Sequence, residues 1–302
     1  MNPITIALPD DELLRRLGGS LGGAEVVVWN IGDEPLGRHI DLLVLPYVTS
    51  YSTLTQLTPA AVSVVQGQSL GYDGVENALP DGITYCNAVG VHEVPSAELA
   101  LALILSAQRG LVEFAQAQPH GLWNRPMLPG LAGCSVLLVG VGGVGREIEK
   151  RILPFDVQLT RVGRTARDGV HARSELPALL PEADIVILAV PLGASTVHLA
   201  DAAFLDAMRP GALLVNISRG RVVDTAALTE RVAAGALRAA LDVLDPEPLP
   251  SDHPLWMLPG VTITPHVGGN VLSMRTRIDP LIRRQAELLG AGRTPLNVVF
   301  GD

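Results

Sequence analysis

The chain has 302 residues, of which 48 % are hydrophobic and 18 % charged, a composition that fits a soluble globular protein with room for two domains and excludes a disordered one. A net charge of -9 opposes binding to a polyanion, so no nucleic-acid partner is expected. No apolar run reaches the roughly 20 residues of a membrane span, and "MNPITIALPDDELL" lacks the basic-then-apolar pattern of a signal peptide, so a cytoplasmic protein without membrane contact is expected.

From the N-terminus, short runs rich in Val, Ile and Leu recur: "ITIAL" (4–8), "EVVVW" (25–29), "DLLVL" (41–45), "VSVVQ" (62–66) and "ITYCN" (83–87). Between them lie stretches able to form helices, such as "DDELLRRLGG", where Asp10 or Asp11 can cap the start and Gly18 can stop the helix. Strands apolar on both faces and separated by helices imply a parallel sheet covered on both sides. The longest helical pattern, "PSAELALALILSAQRGLVEFAQAQ" (95–118), opens with Pro95 in the permitted first turn and carries too many apolar residues for a helix with one wet face. It is expected to bridge the domains and pack against a second copy of the chain.

A second strand series comes next: "SVLLVG" (135–140), "VQLTRV" (157–162), "DIVILAV" (184–190), "ALLVNIS" (212–218), "AALDV" (239–243) and "VTITPH" (261–266). Two α/β domains therefore stand in tandem. The closing amphipathic segment "SMRTRIDPLIRRQAELLGAG" (273–292) is placed to return to the first of them, giving expected domains of 1–93 plus 272–302 and of 94–271. Cys86 and Cys134 sit in apolar stretches without metal-ligand spacing, so buried thiols are expected and no metal.

"VLLVGVGGVGREI" places Gly140, Gly142 and Gly145 in G-x-G-x-x-G register between a buried strand and a helix. The first glycine permits the tight turn, the second lets backbone approach a pyrophosphate, and the third lets helix and strand pack closely. Free N–H groups at the helix start then bind phosphate. The next strand should end in an acid that holds the ribose 2′-OH of NAD. Counting 18 residues from Gly145 reaches Gly163, inside "RVGRTAR", whose neighbours are Arg161, Arg164 and Arg167; Asp168 lies too far along. Loss of the acid and gain of guanidinium groups favour the 2′-phosphate of NADP, with NAD still possible. The alternative is an arginine loop that pairs with nearby acids while NAD binds.

Four further polar residues lie at or beyond the ends of three successive apolar runs: Arg219 in "LLVNISRGRVVD", Asp242 and Glu247 in "AALDVLDPEPLP", and His266 in "VTITPHVGGN". Ligands of open α/β sheets bind outside the carboxyl ends of the strands, so these side chains point to one crevice with the glycine turn. Arginine can anchor an anion and polarise a carbonyl, histidine can supply the proton, and glutamate can orient the histidine.

Together these motifs resemble the D-isomer-specific 2-hydroxyacid dehydrogenases, which include glyoxylate/hydroxypyruvate reductases and D-3-phosphoglycerate dehydrogenases. The resemblance runs from "GYDGV" (71–75) through "VPSAELALALIL", "VGVGGVG", "PLGAST", "MRPGALLVNISRGRVVD", "ALDVLDPEPLP" and "TPHVGG" to "PLNVV" (295–299). It implies a flavodoxin-like substrate domain beside a doubly wound, Rossmann-like dinucleotide-binding domain, a homodimer through the latter, and reduction of a small 2-keto acid by NAD(P)H. It also implies Arg219, Glu247 and His266 as the catalytic set, and Asp242 as the residue facing the nicotinamide carboxamide.

By the same resemblance, Leu70 and Gly71 of "GQSLGYDG" would hold the substrate carboxylate beside Arg219 and His266. The cofactor contacts would be Gly140, Gly142, Gly143, Val144, Gly145, Arg161, Gly163, Arg164, Thr165, Val190, Pro191, Thr196, Ile217, Ser218, Asp242 and Gly268. Leu70 stands where the phosphite-oxidising branch has lysine, and Gly193 where the family often has threonine. A rival reading is a dinucleotide-sensing binding protein of corepressor type. His92 and Tyr47 are either substrate contacts or structural residues, Trp123 and Trp256 are expected to be packing anchors, and Asp224 a helix cap.

Overall fold

Continuous apolar runs of four or five residues bury both faces of a strand, and the helices between them supply the cover. The computed structural model describes residues 3–301. The chain divides into two compact units, Met1–His92 with Leu272–Asp302, and Glu93–Val271.

In the first unit, β1 (Thr5–Leu8), β2 (Glu25–Val28), β3 (Ile40–Val44), β4 (Val62–Gln66) and β5 (Thr84–Cys86) run parallel in the order 2-1-3-4-5, the flavodoxin-like arrangement. Helix α1 (Asp11–Arg16) is capped by Asp10, whose carboxylate accepts from Leu13 N at 2.7 Å, and α2 (Val75–Ala78) comes after β4. Ile40, Leu43, Val62, Val65, Ile83 and Tyr85 lie in one buried cluster on this sheet.

The second unit opens with α3 (Glu93–Arg109) and α4 (Leu111–Ala117). It continues with β6 (Ser135–Val139), α5 (Gly143–Ile152), β7 (Gln158–Gly163), β8 (His171–Ala172), α6 (Leu176–Leu179) and β9 (Ile185–Leu188). It closes with α7 (Ala202–Ala207), β10 (Leu213–Asn216), α8 (Thr225–Ala233), β11 (Arg238–Leu241) and β12 (Val261–Ile263). All its strand pairs are parallel, in the order β12-β11-β10-β9-β6-β7-β8. The winding reverses between β6 and β9, which is where a doubly wound sheet opens its ligand crevice. Helix α9 (Arg275–Gly290) and β13 (Val298–Phe300) belong to the first unit. There Gln285 Nε2 donates to Gln66 Oε1 (2.7 Å) and to Leu296 O (2.9 Å).

Several boundaries differ from those expected from the sequence. The helix expected over 95–118 begins at Glu93 and is broken at Gly110, which takes a φ of +62° that favours glycine. The C-terminal helix starts at Arg275, after a 3-10 turn over Leu272–Met274. β13 pairs antiparallel with β5, so the first sheet is mixed rather than wholly parallel. Its three residues carry too short an apolar signal to be read alone. Among the described residues, no helix is long and apolar enough to cross a membrane.

Candidate active site

Because every strand of the second sheet is parallel, the residues just past β6, β7, β9, β10, β11 and β12 all emerge at one edge. Most of the expected residues of this unit follow these strand ends, and Arg161 lies inside β7.

After β6, Gly140 turns the chain with a φ of +109°, and a Cβ on it would lie 2.2 Å from Ala189 O. A Cβ on Gly145 would lie 2.0 Å from Gly140 O, so α5 can approach the strand only with glycine there. Gly142 behaves differently: a Cβ on it meets nothing within 4 Å, so the space in front of the turn is open. Gly143 is packed by Glu93, whose Cγ is 2.8 Å from the position of a Cβ. Arg146 N makes a backbone bond to Gly142 O (3.0 Å), and the first N–H groups of α5, which precede any intrahelical acceptor, begin at this turn.

Beyond β7 the arginines separate into two kinds. Arg161, expected among the cofactor contacts, is instead committed within its own unit: its guanidinium donates to Glu149 on α5 at 2.6 Å. That pair raises the arginine's pKa and lowers the carboxylate's, the hydrogen bond being the main cause in each. Arg164 and Thr165 are exposed just past the strand end. Arg167 and Val170 exchange both backbone bonds (3.0 and 2.9 Å), closing a tight turn with Gly169 at a φ of +67°. This turn folds Arg167 Nη1 to 3.4 Å from where a Cβ of Gly163 would stand. Glycine at the strand end is thus part of how the arginine reaches that place.

The loop after β9 is held by Thr196, whose Oγ1 accepts from Gly193 N (2.9 Å) and donates to Pro191 O (2.7 Å). Thr196 therefore shapes the loop, next to half-buried Val190 and exposed Pro191. After β10, buried Asn216 accepts from Ser218 Oγ (2.6 Å) and donates to Arg219 O (3.0 Å), while Arg219 Nη1 donates to Ser218 O (2.7 Å). Ile217 is half-buried beside them. A Cβ on Gly220 would fall 1.7 Å from Leu244 O, so the β10 and β11 loops touch at this glycine.

Asp242 is only 3 % exposed and accepts three bonds: from Thr264 Oγ1 (2.6 Å) and Val267 N (2.9 Å) on Oδ1, and from Gly268 N (2.9 Å) on Oδ2. Its carboxylate clamps the turn in which His266 takes a φ of +52°, a conformation rare for a side-chain-bearing residue. His266 Nδ1 meets Glu247 Oε1 at 2.5 Å. That hydrogen bond raises the histidine's pKa; partial burial opposes the rise, Glu247's charge adds to it, Arg219 opposes it and Asp242 adds to it. Arg219, Glu247, Asp242 and His266 are accordingly one electrostatic group.

The first unit holds the other expected residues. Leu70 and Gly71 lie after β4 in a loop where neither N–H has an acceptor among the described residues. His92 is buried, stacks on Tyr47 (5.6 Å between centroids, 18°) and meets Gln68 O at 2.6 Å through Nε2. A carbonyl only accepts, so Nε2 carries the proton and is used structurally. Trp256 Nε1 donates to Pro250 O (2.8 Å), and Asp224 caps α8 through Ala227 N (3.0 Å). Trp123 is 91 % exposed, so it anchors no packing within this chain. Cys86 is buried and its thiol is pushed up to about 12 by desolvation, and Cys134 is half-buried with a raised pKa from the same cause.

Sequence reasoning passed over Asn216 and Thr264, which hold Arg219 and Asp242. Their only signal was position, each at or just after the last residue of a buried strand.

A doubly wound sheet with a glycine-rich turn at its switch point and an Arg, Glu, His set on the same edge defines a dinucleotide-binding oxidoreductase architecture. Residues 101–268 match the family model of the D-isomer specific 2-hydroxyacid dehydrogenase, NAD binding domain, and the chain belongs to that family. It is 33 % identical over 249 residues to a glyoxylate reductase of Thermofilum pendens, covering 78 % of this chain and 74 % of the relative. A hydroxypyruvate reductase of Thermotoga maritima is 30 % identical over 255 residues, with 80 % and 81 % covered. Among solved structures, a D-isomer specific 2-hydroxyacid dehydrogenase of Xanthobacter autotrophicus Py2, in complex with NADPH and MES, superposes with a TM-score of 0.83 at 25 % identity, covering 99 % of this chain and 98 % of that one.

Proposed function

We propose that this chain reduces a small 2-keto acid of the glyoxylate or hydroxypyruvate kind to the D-2-hydroxy acid, using NAD(P)H. The observation that carries the reading is the 2.5 Å pairing of His266 with Glu247 beside Arg219, on the same sheet edge as the glycine turn. The residues fit the dinucleotide: the open space at Gly142 and the start of α5 suit a pyrophosphate, and Ser218, Asp242 and Gly268 lie on the same edge. When bound, the reduced nicotinamide supplies the hydride. Arg219 anchors the keto acid and polarises its carbonyl, His266 delivers the proton to the developing alkoxide, and Glu247 fixes the imidazole and stabilises its charged form. Leu70 and Gly71 offer N–H groups to the substrate carboxylate.

NADP(H) is the preferred cofactor in this reading, through Arg164 and Arg167; Arg161 is spent on Glu149. The working form is a homodimer joined through the second unit. Nothing in the site favours a binding protein without turnover, because the full Arg, Glu, His set is in place. The test is nicotinamide absorbance with glyoxylate, hydroxypyruvate, pyruvate and phenylpyruvate, each offered NADPH and NADH. Turnover with NADPH ahead of NADH is expected. NADH ahead of NADPH removes the role of the arginines and keeps the reductase; silence with every pair removes the reductase.

A further inference from the structure

The loop after β4 carries more organisation than a binding loop needs for its own stability. Four successive carbonyl groups are each taken by a donor from the body of the first unit. Gln68 O meets His92 Nε2 at 2.6 Å, Ser69 O accepts from Ala88 N at 2.9 Å, and Leu70 O accepts from Asn87 Nδ2 at 2.9 Å. Gly71 O is reached by two hydroxyls, Ser69 Oγ at 2.9 Å and Tyr51 OH at 3.0 Å.

The hydroxyls are themselves linked. Tyr85 OH donates to Tyr51 OH (3.2 Å), and Tyr51 OH lies 2.6 Å from Ser69 Oγ. Each hydroxyl has one proton: Tyr85 gives to Tyr51, and Tyr51 and Ser69 give to Gly71 O or one of them to the other, so at least one of the two always holds Gly71 O. Chains in which every member donates onward polarise one another. Tyr85 is fully buried, and its hydroxyl lies 2.1 Å from where a Cβ of Gly67 would stand, so the chain starts from a fixed point at the base of the loop.

A trans peptide sets its N–H opposite its C=O. Once the carbonyls of Gln68, Ser69, Leu70 and Gly71 are drawn toward the protein, the N–H groups of Ser69, Leu70, Gly71 and Tyr72 are turned away from it. Among the described residues none of these four N–H groups has an acceptor. Successive unpaired N–H groups on one side of a loop make an anion site.

We propose that Tyr51, with Ser69 and Asn87, positions this row of N–H groups for the substrate carboxylate, acting through the carbonyls and not by touching the substrate. The inference rests on the 2-keto acid reading of the site. It makes the hydroxyl relay a determinant of affinity for the acid group alone. Bonds to a carboxylate that does not react are present in ground and transition states alike, so their loss raises KM and leaves kcat unchanged.

The informative variants are Tyr51→Phe, which keeps the ring and removes one hydroxyl, and the double variant with Ser69→Ala, which removes both donors to Gly71 O. Two readings are taken: steady-state kinetics with glyoxylate and with its methyl ester, and calorimetric binding of oxamate in the presence of NADPH. For the single variant KM for glyoxylate rises about five-fold, the value of one lost hydrogen bond, with kcat, KM for the ester and KM for NADPH unchanged. Oxamate affinity falls by the same factor, and the double variant falls further. Equal losses for acid and ester, or oxamate binding that is the same in all three proteins, overturn the positioning role while the reductase stands. Oxamate binding that weakens along the series in a protein with no turnover overturns the reductase while the positioning role stands.

Discussion

At the scale of single residues, the group proposed to deliver the proton is tuned chiefly by one hydrogen bond. The Glu247 hydrogen bond raises the His266 pKa above the ordinary histidine value of about 6.5. Reduction needs the imidazolium, so kcat/KM for the keto acid is flat below the pair's apparent pKa and falls as pH rises through it; oxidation of the hydroxy acid shows the mirror dependence. Glu247→Gln removes the charge that favours the imidazolium, and the break moves to lower pH. A profile that keeps its break in both Glu247→Gln and His266→Gln takes the histidine out of the acid role. Gly220 supports a second residue-level expectation. The atom nearest an added Cβ is a backbone carbonyl, Leu244 O at 1.7 Å, which no rotamer change relieves. Gly220→Ala forces the loop beside Arg219 to shift, at a cost of about 1–3 kcal/mol or more, read as a lower urea midpoint together with a lower kcat.

At the scale of elements, the strand-to-loop junctions hold the candidate site, and their behaviour divides what the sequence shows from what it hides. The buried runs "SVLLV", "IVIL" and "LLVN" became β6, β9 and β10 because nothing but a doubly covered parallel sheet buries them on both faces. Arg219 and His266 were legible as candidates because each stands shortly past the end of a strand, β10 and β12, and Glu247 because it lies in the loop that follows β11. Arg161 was misleading because it lies inside β7, where its side chain leans on α5; strand end and strand interior are one or two residues apart and composition does not separate them. The break at Gly110 was hidden because glycine is tolerated within a helix as well as at its end, and the local sequence does not say which φ it adopts. Two substitutions probe these junctions. In the proposed reading Arg164→Ala loses a charge-assisted bond to the 2′-phosphate, about 1.5–3 kcal/mol, so KM for NADPH is expected to rise about 10- to 100-fold while KM for NADH stays near its starting value; Arg161→Ala is expected to change neither by that much. Asp224→Ala removes the acceptor for Ala227 N at the start of α8 and lowers stability by about 1 kcal/mol without altering kcat.

At the scale of the whole molecule, the second unit exposes a series of large apolar side chains. α4 has no buried residue, and Leu111 and Phe114 on it are exposed. The segment after it presents Leu122, Trp123 (91 % exposed), Met127 (98 % exposed) and Leu128. Aromatic residues and methionine are enriched in the cores of interfaces, and six large apolar side chains are exposed within these eighteen residues. The partner in the proposed reading is a second copy, and a two-fold contact buries the same patch on both copies. The chain of 31.8 kDa is therefore expected to sediment at about twice its mass. Trp123→Asp combined with Met127→Asp places two charges where water must be excluded, and the pair is expected to yield a monomer whose far-ultraviolet dichroism is unchanged, since neither side chain packs within its own chain. A wild-type protein that sediments as a monomer at micromolar concentration ends this assignment and leaves the patch for a different partner.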